Sequence, residues 1–257
     1  MPWTLSTLNV NGIRAALKNG FQGWRSRSGA DVLCLQELRM QADEMEAEHS
    51  RPRGWRHVQT DAEKKGYSGV SVWSRLPVLG TRTGCGLDWA DREGRIARMD
   101  LEQATVVSVY LPSGSSGEAR QAMKEAFMDH FFEWSRCLLD EGRPVVLCGD
   151  LNIAHTAMDI HNATANKKSS GFLPHEREWF SRLLDLGWVD VWRALHPEAR
   201  EYSWWSNRGQ ARQLDRGWRI DYQLASPDLA AKASRAWITG RQPALSDHCA
   251  VNVTYGD

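Results

Sequence analysis

Short runs of apolar and β-branched residues recur along the chain and predict β-strands. The runs are Trp3–Val10, Asp31–Gln36, Gly69–Trp73, Ile96–Leu101, Thr105–Leu111, Val145–Cys148 and Arg219–Ala225. Only Glu102, Gln103 and Ala104 separate the fourth run from the fifth, which is the spacing of a β-hairpin. The pattern therefore predicts mixed or antiparallel sheets, because purely parallel strands need longer crossovers.

Apolar residues three to four positions apart predict helices between these strands. The clearest helix runs from about Gly117 to Leu139, and Ser115 with Glu118 predicts a capping box at its start. The apolar stripe of this helix consists of Met123, Phe127, Phe131, Trp134 and Leu138. Further helices are predicted for Pro174–Leu186 and near Gly20–Ser28. Strands with helices between and around them indicate an α/β architecture.

The length of 257 residues suits one large α/β domain, and without repeats or linkers we predict a single domain over residues 1–257. No apolar run approaches the ~18 residues that cross a membrane. The start, MPWTLSTLNVNGIR, lacks the basic and apolar regions of a signal peptide. The five cysteines are an odd number without CxxC spacing, which favours a reducing compartment. Together these features predict a cytoplasmic protein with no membrane partner.

The chain carries 32 basic and 32 acidic residues, so its net charge gives no argument for nucleic-acid binding. The charge is nevertheless uneven along the sequence. Four arginines, opposed locally only by Asp215, lie close together at Arg208, Arg212, Arg216 and Arg219. A local basic face of this kind can contact phosphates while acids elsewhere balance the sum. The 13 tryptophans are mostly expected in the core, and position must show which of them serve a site.

Sequence motifs of several enzyme classes are absent. The chain has neither a GxSxG elbow nor a GxxxxGK[ST] phosphate loop. HEREW, which begins at His175, lacks the second histidine of HExxH, and zinc-type Cys/His spacing is absent too. What remains is a set of acids and amides at the ends of predicted strands.

Asp150 and Asn152 close the apolar run VVLCGDLN, and residues two apart on a strand point to the same face. Asn9 and Asn11 repeat this spacing at the end of the first strand, and Glu37 closes DVLCLQE. For each residue alone, a turn or a cap is the more common explanation. Two carboxylates and three amides at strand ends instead favour one shared site.

Two further acidic positions, Asp221 and Asp247, and the neighbouring His248 fit the same interpretation. Taken singly, His248 reads as a satisfied, partly buried histidine and Asp221 as the partner of an arginine. Taken with the strand-end acids, they resemble a site of hard oxygen ligands with an acid/base group. Such ligands favour Mg²⁺ or Mn²⁺ over zinc, and such a site suits phosphoester hydrolysis.

A series of motifs carries a resemblance to a known family. In order they are LNVNGIR, LCLQE, GYSGV, DREGR, VYLPSG, VLCGDLNIAH, NKKSSGF, WRIDY and SDH. From Leu8 to His248 the chain thus resembles the exonuclease III family of abasic-site endonucleases. The wider superfamily includes deoxyribonuclease I and phosphatases of lipids and inositol phosphates. The resemblance implies a four-layer α/β sandwich, in which two mixed, mostly antiparallel sheets pack face to face with helices outside.

The resemblance also implies roles for the matching residues. Catalytic roles fall to Asp150, Asn152, His248, Asp221 and Tyr110, and metal-ligand roles to Glu37, Asp247, Asn9 and Asn11. Asp150 would orient or deprotonate the attacking water, and Asn152 would hold that water and a phosphate oxygen. Asp221 would fix the tautomer of His248 and stabilise its charged form. Whether Asp150 or His248 is the general base is open at this point.

On the substrate side, Trp204, Trp218 and Ile220 match the family's apolar pocket for a flipped, baseless sugar. The remaining candidates for contacts with DNA are Asn166, Lys167, Lys168, Ser169, Ser170, Arg14, Tyr67, Arg95 and Ser113. Small residues at 169 and 170 fit an open pocket mouth. The chain departs from some relatives at Asn11, where they carry an aspartate, and in the loop from Ser113 to Gly117. These departures predict a weaker or shifted metal site and weaker wedging of the duplex.

The resemblance implies a monomeric, Mg²⁺- or Mn²⁺-dependent DNA repair nuclease acting in the cytoplasm, or on the nucleoid in a bacterium. Its substrate would be double-stranded DNA with abasic sites or blocked 3′ ends, with 3′→5′ exonuclease activity in addition. One alternative keeps the fold and the metal but hydrolyses a lipid head group or soluble polyphosphate. Another alternative is a non-catalytic DNA-binding module. This alternative is disfavoured because the chain retains together Glu37, Asp150, Asn152, Asp221, Asp247 and His248.

Overall fold

In the computed structural model we describe residues 1–46, 52–239 and 244–256. The longer strands are β1 (Trp3–Asn9), β2 (Val32–Gln36), β3 (Arg56–Thr60), β4 (Val70–Ser74), β5 (Val78–Thr83), β6 (Ile96–Leu101), β7 (Thr105–Tyr110), β8 (Val145–Asp150), β12 (Asp221–Ala225), β13 (Ala233–Ile238) and β14 (Val251–Tyr255). Three two-residue strands complete the set: β9 (Val189–Asp190), β10 (Trp204–Trp205) and β11 (Gly217–Trp218).

The helices lie between these strands. They are α1 (Ile13–Lys18), α2 (Phe21–Arg27), α3 (Asp88–Arg92), α4 (Glu118–Asp140), α5 (Pro174–Asp185), α6 (Val191–Leu195) and α7 (Pro227–Ala230), with a 3₁₀ turn at Ala42–Glu44. None of the helices in the described residues is long and apolar enough to cross a membrane.

Two six-stranded sheets form the framework. Their strand orders are β13-β14-β1-β2-β4-β3 and β5-β6-β7-β8-β12-β9. The pairs β1–β2 and β7–β8 are parallel, and the other neighbouring pairs are antiparallel. The predicted mixed sheets are therefore confirmed.

Alternating side chains along each strand place the sheets face to face. Val106 and Val146 point into the core between the sheets, whereas their neighbours Val107 and Leu147 point outward to α4 and α5. The other sheet repeats the pattern, since its inward residues join the same central core and its outward residues meet α1 and α2. The predicted four-layer α/β sandwich, with helices outside both sheets, is confirmed.

The seven strands and three helices predicted from periodicity are all present, with shifted ends. The predicted capping box at α4 is wrong, because Gly117 is the N-cap and makes no side-chain cap bond. The stripe of α4 is also centred one residue later than predicted, with Lys124 fully buried and Met123 only half-buried. The strands β3, β5 and β13 were missed because their exposed positions hide the alternation, and the buried strand β14 was not predicted either.

Candidate active site

Strand register brings three of the predicted catalytic residues side by side. Tyr110 at the end of β7 is the register partner of Asp150 at the end of parallel β8. Asp221, the first residue of antiparallel β12, faces Asp150 from the other side. In the other sheet, which contains β1 and β2, Asn9 at the end of β1 pairs with Gln36 at the end of β2, and Glu37 is the next residue after Gln36. Both sheets therefore present polar residues at one common edge.

A cleft of about 510 Å³ opens at this edge. It is lined by most of the predicted site residues, namely Asn11, Glu37, Tyr110, Ser113, Asp150, Asn152, Ser169, Ser170, Trp204, Trp218, Ile220, Asp247 and His248. Arg39, Ser115 and Gly171 line it as well, although the sequence did not single out Arg39. The structure thus collects side chains from distant segments into one concave surface.

His248 and Asp221 form a buried pair at the floor of the cleft. His248 Nδ1 lies 2.8 Å from Asp221 Oδ2, and both side chains are almost fully buried. Ser203 Oγ donates to the same carboxylate oxygen at 2.6 Å. Burial alone would lower the pKa of His248, but the carboxylate of Asp221, with Asp150 and Asp247 beyond it, raises that pKa to about 10. The imidazole is therefore protonated at neutral pH.

Asp150 lies between this pair and the other sheet. Its Oδ2 is 3.9 Å from His248 Nε2 and accepts a hydrogen bond of 3.0 Å from Asn9 Nδ2. Its Oδ1 accepts from the backbone N–H of Asn152 at 2.8 Å. Burial and the nearby carboxylate of Asp221 raise the pKa of Asp150, and the charge of His248 opposes this. A carboxyl group with a raised pKa is suited to exchanging a proton near neutral pH.

Glu37 and Asp247 also line the cleft. The amide of Asn9 also donates to Glu37 Oε1 at 2.9 Å, so one NH₂ group joins the carboxylates of Glu37 and Asp150. Arg39 pairs with the other oxygen of Glu37. Asp247 accepts from Asn11 Nδ2 at 2.9 Å. Asn9 and Asn11 thus touch the acids through their amide nitrogens, while Asn9 Oδ1 accepts from the backbone of Asn11.

The backbone at this edge turns sharply, which explains the residue types found there. Asn11, Glu37 and Asn152 all have positive φ, and asparagine tolerates this left-handed region better than most residues. Gly149 has φ +146°, and a Cβ there would lie 1.9 Å from the carbonyl oxygen of Val109. A side chain at 149 would therefore force β7 and β8 apart beside Asp150.

Tyr110 extends into the same cleft. Burial, together with the carboxylates of Glu37 and Asp150, raises the pKa of its hydroxyl, so the group keeps its proton and can donate it. Arg95 lies over its ring at 5.0 Å and donates to its backbone carbonyl at 2.9 Å. The orientation of Tyr110 is therefore held from one side by a fully buried arginine.

Trp204 and Trp218 meet almost at right angles and make two walls of a small apolar pocket. Their ring centroids are 6.1 Å apart with an interplanar angle of 86°, and Ile220 belongs to the same apolar cluster. Ser169 and Ser170 are half-buried at its rim. A Cβ at Gly171 would lie 2.9 Å from the carbonyl of Asn152 and 3.0 Å from the Trp218 ring. The backbone at Gly171 therefore lies against both the Asn152 carbonyl and the Trp218 ring, so it connects the pocket with the catalytic residues.

The other predicted DNA contacts divide into two groups. Tyr67, Arg95 and Ser113 line a second cavity, about 420 Å³ in volume, that shares Tyr110 and Ser113 with the cleft. Arg95 is buried and donates a hydrogen bond to Tyr67 Oη, which fixes the position of that hydroxyl. The remaining four predicted contacts, which the structure does not place in either cavity, are Arg14, Asn166, Lys167 and Lys168.

The structure corrects the prediction that the four arginines between residues 208 and 219 form a basic face. Arg208 and Arg216 are exposed, but Arg219 is buried and paired with Asp159 and Asp190. Arg219 therefore anchors the short segment between β11 and β12 and contributes no positive surface.

Four polar residues close to the site were missed in the sequence. They are Arg39, Ser203, Lys124 and Glu176. A lysine three residues before Phe127 on an apolar helix face was a usable signal for Lys124. No local pattern marks Ser203, because its partner Asp221 lies 18 residues away in the sequence.

Comparisons with known proteins agree with this geometry. The model of the endonuclease/exonuclease/phosphatase family matches residues 6–248. An exodeoxyribonuclease of Bacillus subtilis (strain 168) is 37% identical over 255 residues, covering 97% of this chain and 98% of the relative. The DNA repair nuclease APEX1 of Danio rerio is 34% identical, covering 97% of this chain and 81% of that protein.

Solved structures show the same fold. A 3′ phosphatase (NExo) from Neisseria, bound to a product DNA hairpin, has a TM-score of 0.91 at 28% identity and covers 99% of this chain and 100% of that one. An AP endonuclease from Archaeoglobus fulgidus has a TM-score of 0.89 at 26% identity with the same coverage. The resemblance drawn from the sequence motifs is confirmed: the chain belongs to the endonuclease/exonuclease/phosphatase family, among relatives named as exodeoxyribonucleases and AP endonucleases.

Proposed function

We propose that this protein is a divalent-metal-dependent DNA repair nuclease that hydrolyses the phosphodiester bond 5′ to an abasic site in duplex DNA. It also removes blocking groups from 3′ ends and degrades DNA 3′→5′. The observation that carries the proposal is that one cleft holds acids from both sheets, the buried Asp221–His248 pair and the apolar Trp204–Trp218 pocket. The named activities of the relatives support it.

The donor set at the cleft fits a divalent cation. The carboxylates of Glu37 and Asp150 meet at a single amide, and burial together with the carboxylates of Asp221 and Glu37 raises the pKa of Asp150. Asp150, Asp221 and His248 also have ligand atoms within 4.8 Å of one another. Because Asp221 Oδ2 and His248 Nδ1 are bonded to each other, we assign the metal instead to Glu37 and Asp247, with the amides of Asn9 and Asn11 nearby.

When bound, Mg²⁺ or Mn²⁺ offsets charge on the phosphate oxygens in the transition state. The protein's own residues supply the proton chemistry. Asp221 favours the charged form of His248, which suits this residue to hold a phosphate oxygen by charge and hydrogen bonding. Asp150 is then the group that orients the attacking water and takes its proton, and Asn152 holds that water beside it. The Tyr110 hydroxyl donates to the phosphate or the leaving oxygen.

The apolar pocket accounts for selectivity. A baseless deoxyribose costs least to extrude from a duplex, and its apolar faces suit walls of Trp204, Trp218 and Ile220. A normal nucleotide carries a base that the pocket excludes by size. Backbone phosphates would be contacted by Tyr67 beside the second cavity, Ser113 at its border, Arg14, Asn166, Lys167 and Lys168. Such contacts position DNA without reading its sequence.

The test uses three matched duplexes carrying an internal abasic site, a 3′-phosphate or neither, each with protein and Mg²⁺. We expect cleavage 5′ to the abasic site, a new 3′-hydroxyl on the blocked end, and slow shortening of the third duplex. A fourth arm offers an inositol phosphate in place of DNA. Release of phosphate from that arm, with all three duplexes intact, would overturn the proposal in favour of a small-molecule phosphatase.

We further propose that residues 1–257 act as one domain and as a monomer, in the cytoplasm or on a bacterial nucleoid. The pairing of β14 with β1 supports the single domain, because it joins the two ends of the chain in one sheet. Buried, unbridged Cys34 and Cys148 in the strands support a reducing compartment.

A further inference from the structure

Lys124 and Glu176 form an ion pair that is completely enclosed by protein. Lys124 Nζ lies 2.7 Å from Glu176 Oε1, and both side chains are 0% exposed. Lys124 is on α4 and Glu176 is in the first turn of α5, so the pair joins the two long helices. Neither residue lines the catalytic cleft. A buried ion pair is rarely more stabilising than apolar residues of the same size, so its presence asks for another explanation.

Lys124 also contacts the backbone of a catalytic residue. Its ammonium group donates to the carbonyl oxygen of Asn152 at 2.9 Å. Asn152 is held at two other points, since its N–H donates to Asp150 Oδ1 and its side-chain amide to the carbonyl of Leu111, both at 2.8 Å. Asn152 has φ +50°, a conformation that needs support from its surroundings. Lys124 supplies part of that support from α4, outside the cleft lining.

Glu176 performs the matching task for the rim of the apolar pocket. Its Oε2 accepts from the backbone N–H groups of Gly171 at 2.6 Å and Leu173 at 3.0 Å. Ser170 Oγ lies 3.4 Å from Oε1. The rim segment 170–173 in turn packs against the carbonyl of Asn152 at Gly171. One ion pair thus connects the catalytic strand end with the mouth of the pocket.

We infer that Lys124 and Glu176 are positioning residues, which hold the Asn152 turn and the 170–173 rim at a set distance from each other and thereby align the Asn152 amide with Asp150. The inference rests on the proposed nuclease function. It explains why a fully buried ion pair lies between the two long helices. Apolar replacements would fill the space but would leave the Asn152 carbonyl and the two rim N–H groups without partners.

The test compares two double variants. Lys124→Met with Glu176→Gln removes both charges of the pair, so neither is left uncompensated in the interior. The control, Arg98→Met with Glu141→Gln, removes a paired set near the other end of α4, where Arg98 Nη2 lies 2.6 Å from Glu141 Oε2. The readouts are kcat and KM on the abasic duplex, and hydrogen–deuterium exchange of peptides 148–154 and 169–173.

For the first double variant we expect kcat to fall roughly ten- to a hundredfold with KM nearly unchanged, since misplacement by about 1 Å has effects of this size. Both peptides should exchange faster. The control variant should melt at a lower temperature yet keep wild-type kcat and wild-type exchange in those peptides. If the first double variant does not fold, Lys124→Gln with Glu176→Gln, which also removes both charges but keeps a polar group at each position, should show the same exchange change with a smaller loss of kcat.

Wild-type kcat and wild-type exchange in a folded Lys124 and Glu176 variant would overturn the inference. An equal loss of kcat in the control would overturn it too, because that loss would reflect general destabilisation. A wild-type protein that cleaves none of the duplexes would instead contradict the proposed function. The exchange measurement needs no substrate, so it would still decide the positioning role in that case.

Discussion

His248 Nδ1 and Asp221 Oδ2 are 2.8 Å apart in a pocket from which water is almost excluded, and this carboxylate is the main reason that the imidazole stays charged. Asp221→Asn removes the negative charge and should lower the pKa of His248 from its present value of about 10. The charged imidazole is then lost at a lower pH. We expect cleavage to fall roughly 10²–10⁴-fold at pH 8, and less at pH 6.

The measurement is kcat/KM for the abasic duplex from pH 6 to pH 9, together with NMR titration of His248. Asp88→Asn is a suitable control, because that side chain is 83% exposed and lies on α3. Wild type should show no alkaline limb from His248 below pH 9, and an Asp221→Asn profile that shows none either would contradict the role given to the pair.

Asp150→Asn should abolish cleavage and leave binding of abasic DNA largely intact. The substitution keeps the size of the side chain but removes the proton acceptor that faces His248 at 3.9 Å. Product gels measure cleavage, and fluorescence anisotropy in Ca²⁺ measures binding. Full activity of this variant would sink the mechanism, because no other carboxylate in the described part of the chain lies within 4.8 Å of both Asp221 and His248.

Glu37→Gln should weaken metal binding and leave the chemistry of the bound metal unchanged. An amide oxygen is a poorer ligand for a hard cation than a carboxylate. We expect the activity curve to shift to higher Mg²⁺, and high Mg²⁺ or Mn²⁺ to restore part of the rate. Isothermal titration with Mn²⁺ gives a readout independent of turnover. Glu141→Gln serves as the control, and an unchanged titration for Glu37→Gln would remove this residue from the ligand set.

The strand-end acids were predictable because period-two alternation and abrupt polar endings are local signals. VVLCGDLN placed Asp150 and Asn152 on one face, and the register of β7, β8 and β12 then gave them neighbours. The sequence could not show which side chains from distant segments would become hydrogen-bond partners. Asn9 joins acids 28 and 141 residues away, as a donor and not as the expected oxygen ligand. Lys124 was missed because the predicted stripe of its helix began at Met123, one residue too early.

Ser169→Phe should favour terminal substrates over internal ones. Ser169 lies on the cleft wall at the mouth of the apolar pocket, and its hydroxyl makes only a 3.3 Å contact with Asn166. A phenyl ring there narrows the entry for a sugar flanked by DNA on both sides. We expect turnover of the internal abasic site to fall roughly tenfold relative to the 3′-phosphate substrate, the size of a modest steric discrimination.

Ser169→Ala is the matched control, since it removes the hydroxyl without adding volume. It should keep the wild-type ratio of the two activities. Equal losses on both substrates in Ser169→Phe would show that the residue affects the whole cleft and does not select between substrates.

The buried ion pairs of Asp159 should make the free energy of unfolding depend on pH in the acid range. Burial would raise its pKa, but the guanidinium groups of Arg219 at 2.8 Å and Arg193 at 2.6 Å hold it well below the ordinary value. Its contribution to stability is therefore complete above the unfolded pKa of about 3.9 and is lost as pH falls toward the lower folded pKa.

Asp159→Asn should lower the free energy of unfolding by about 3 kcal/mol at pH 7, because it leaves Arg219 short of one charge partner. In urea titrations the gap between wild type and variant should narrow below about pH 4. Asp88→Asn should show no such gap, and a wild-type to Asp159→Asn difference that stays constant down to pH 2 would contradict the depressed pKa.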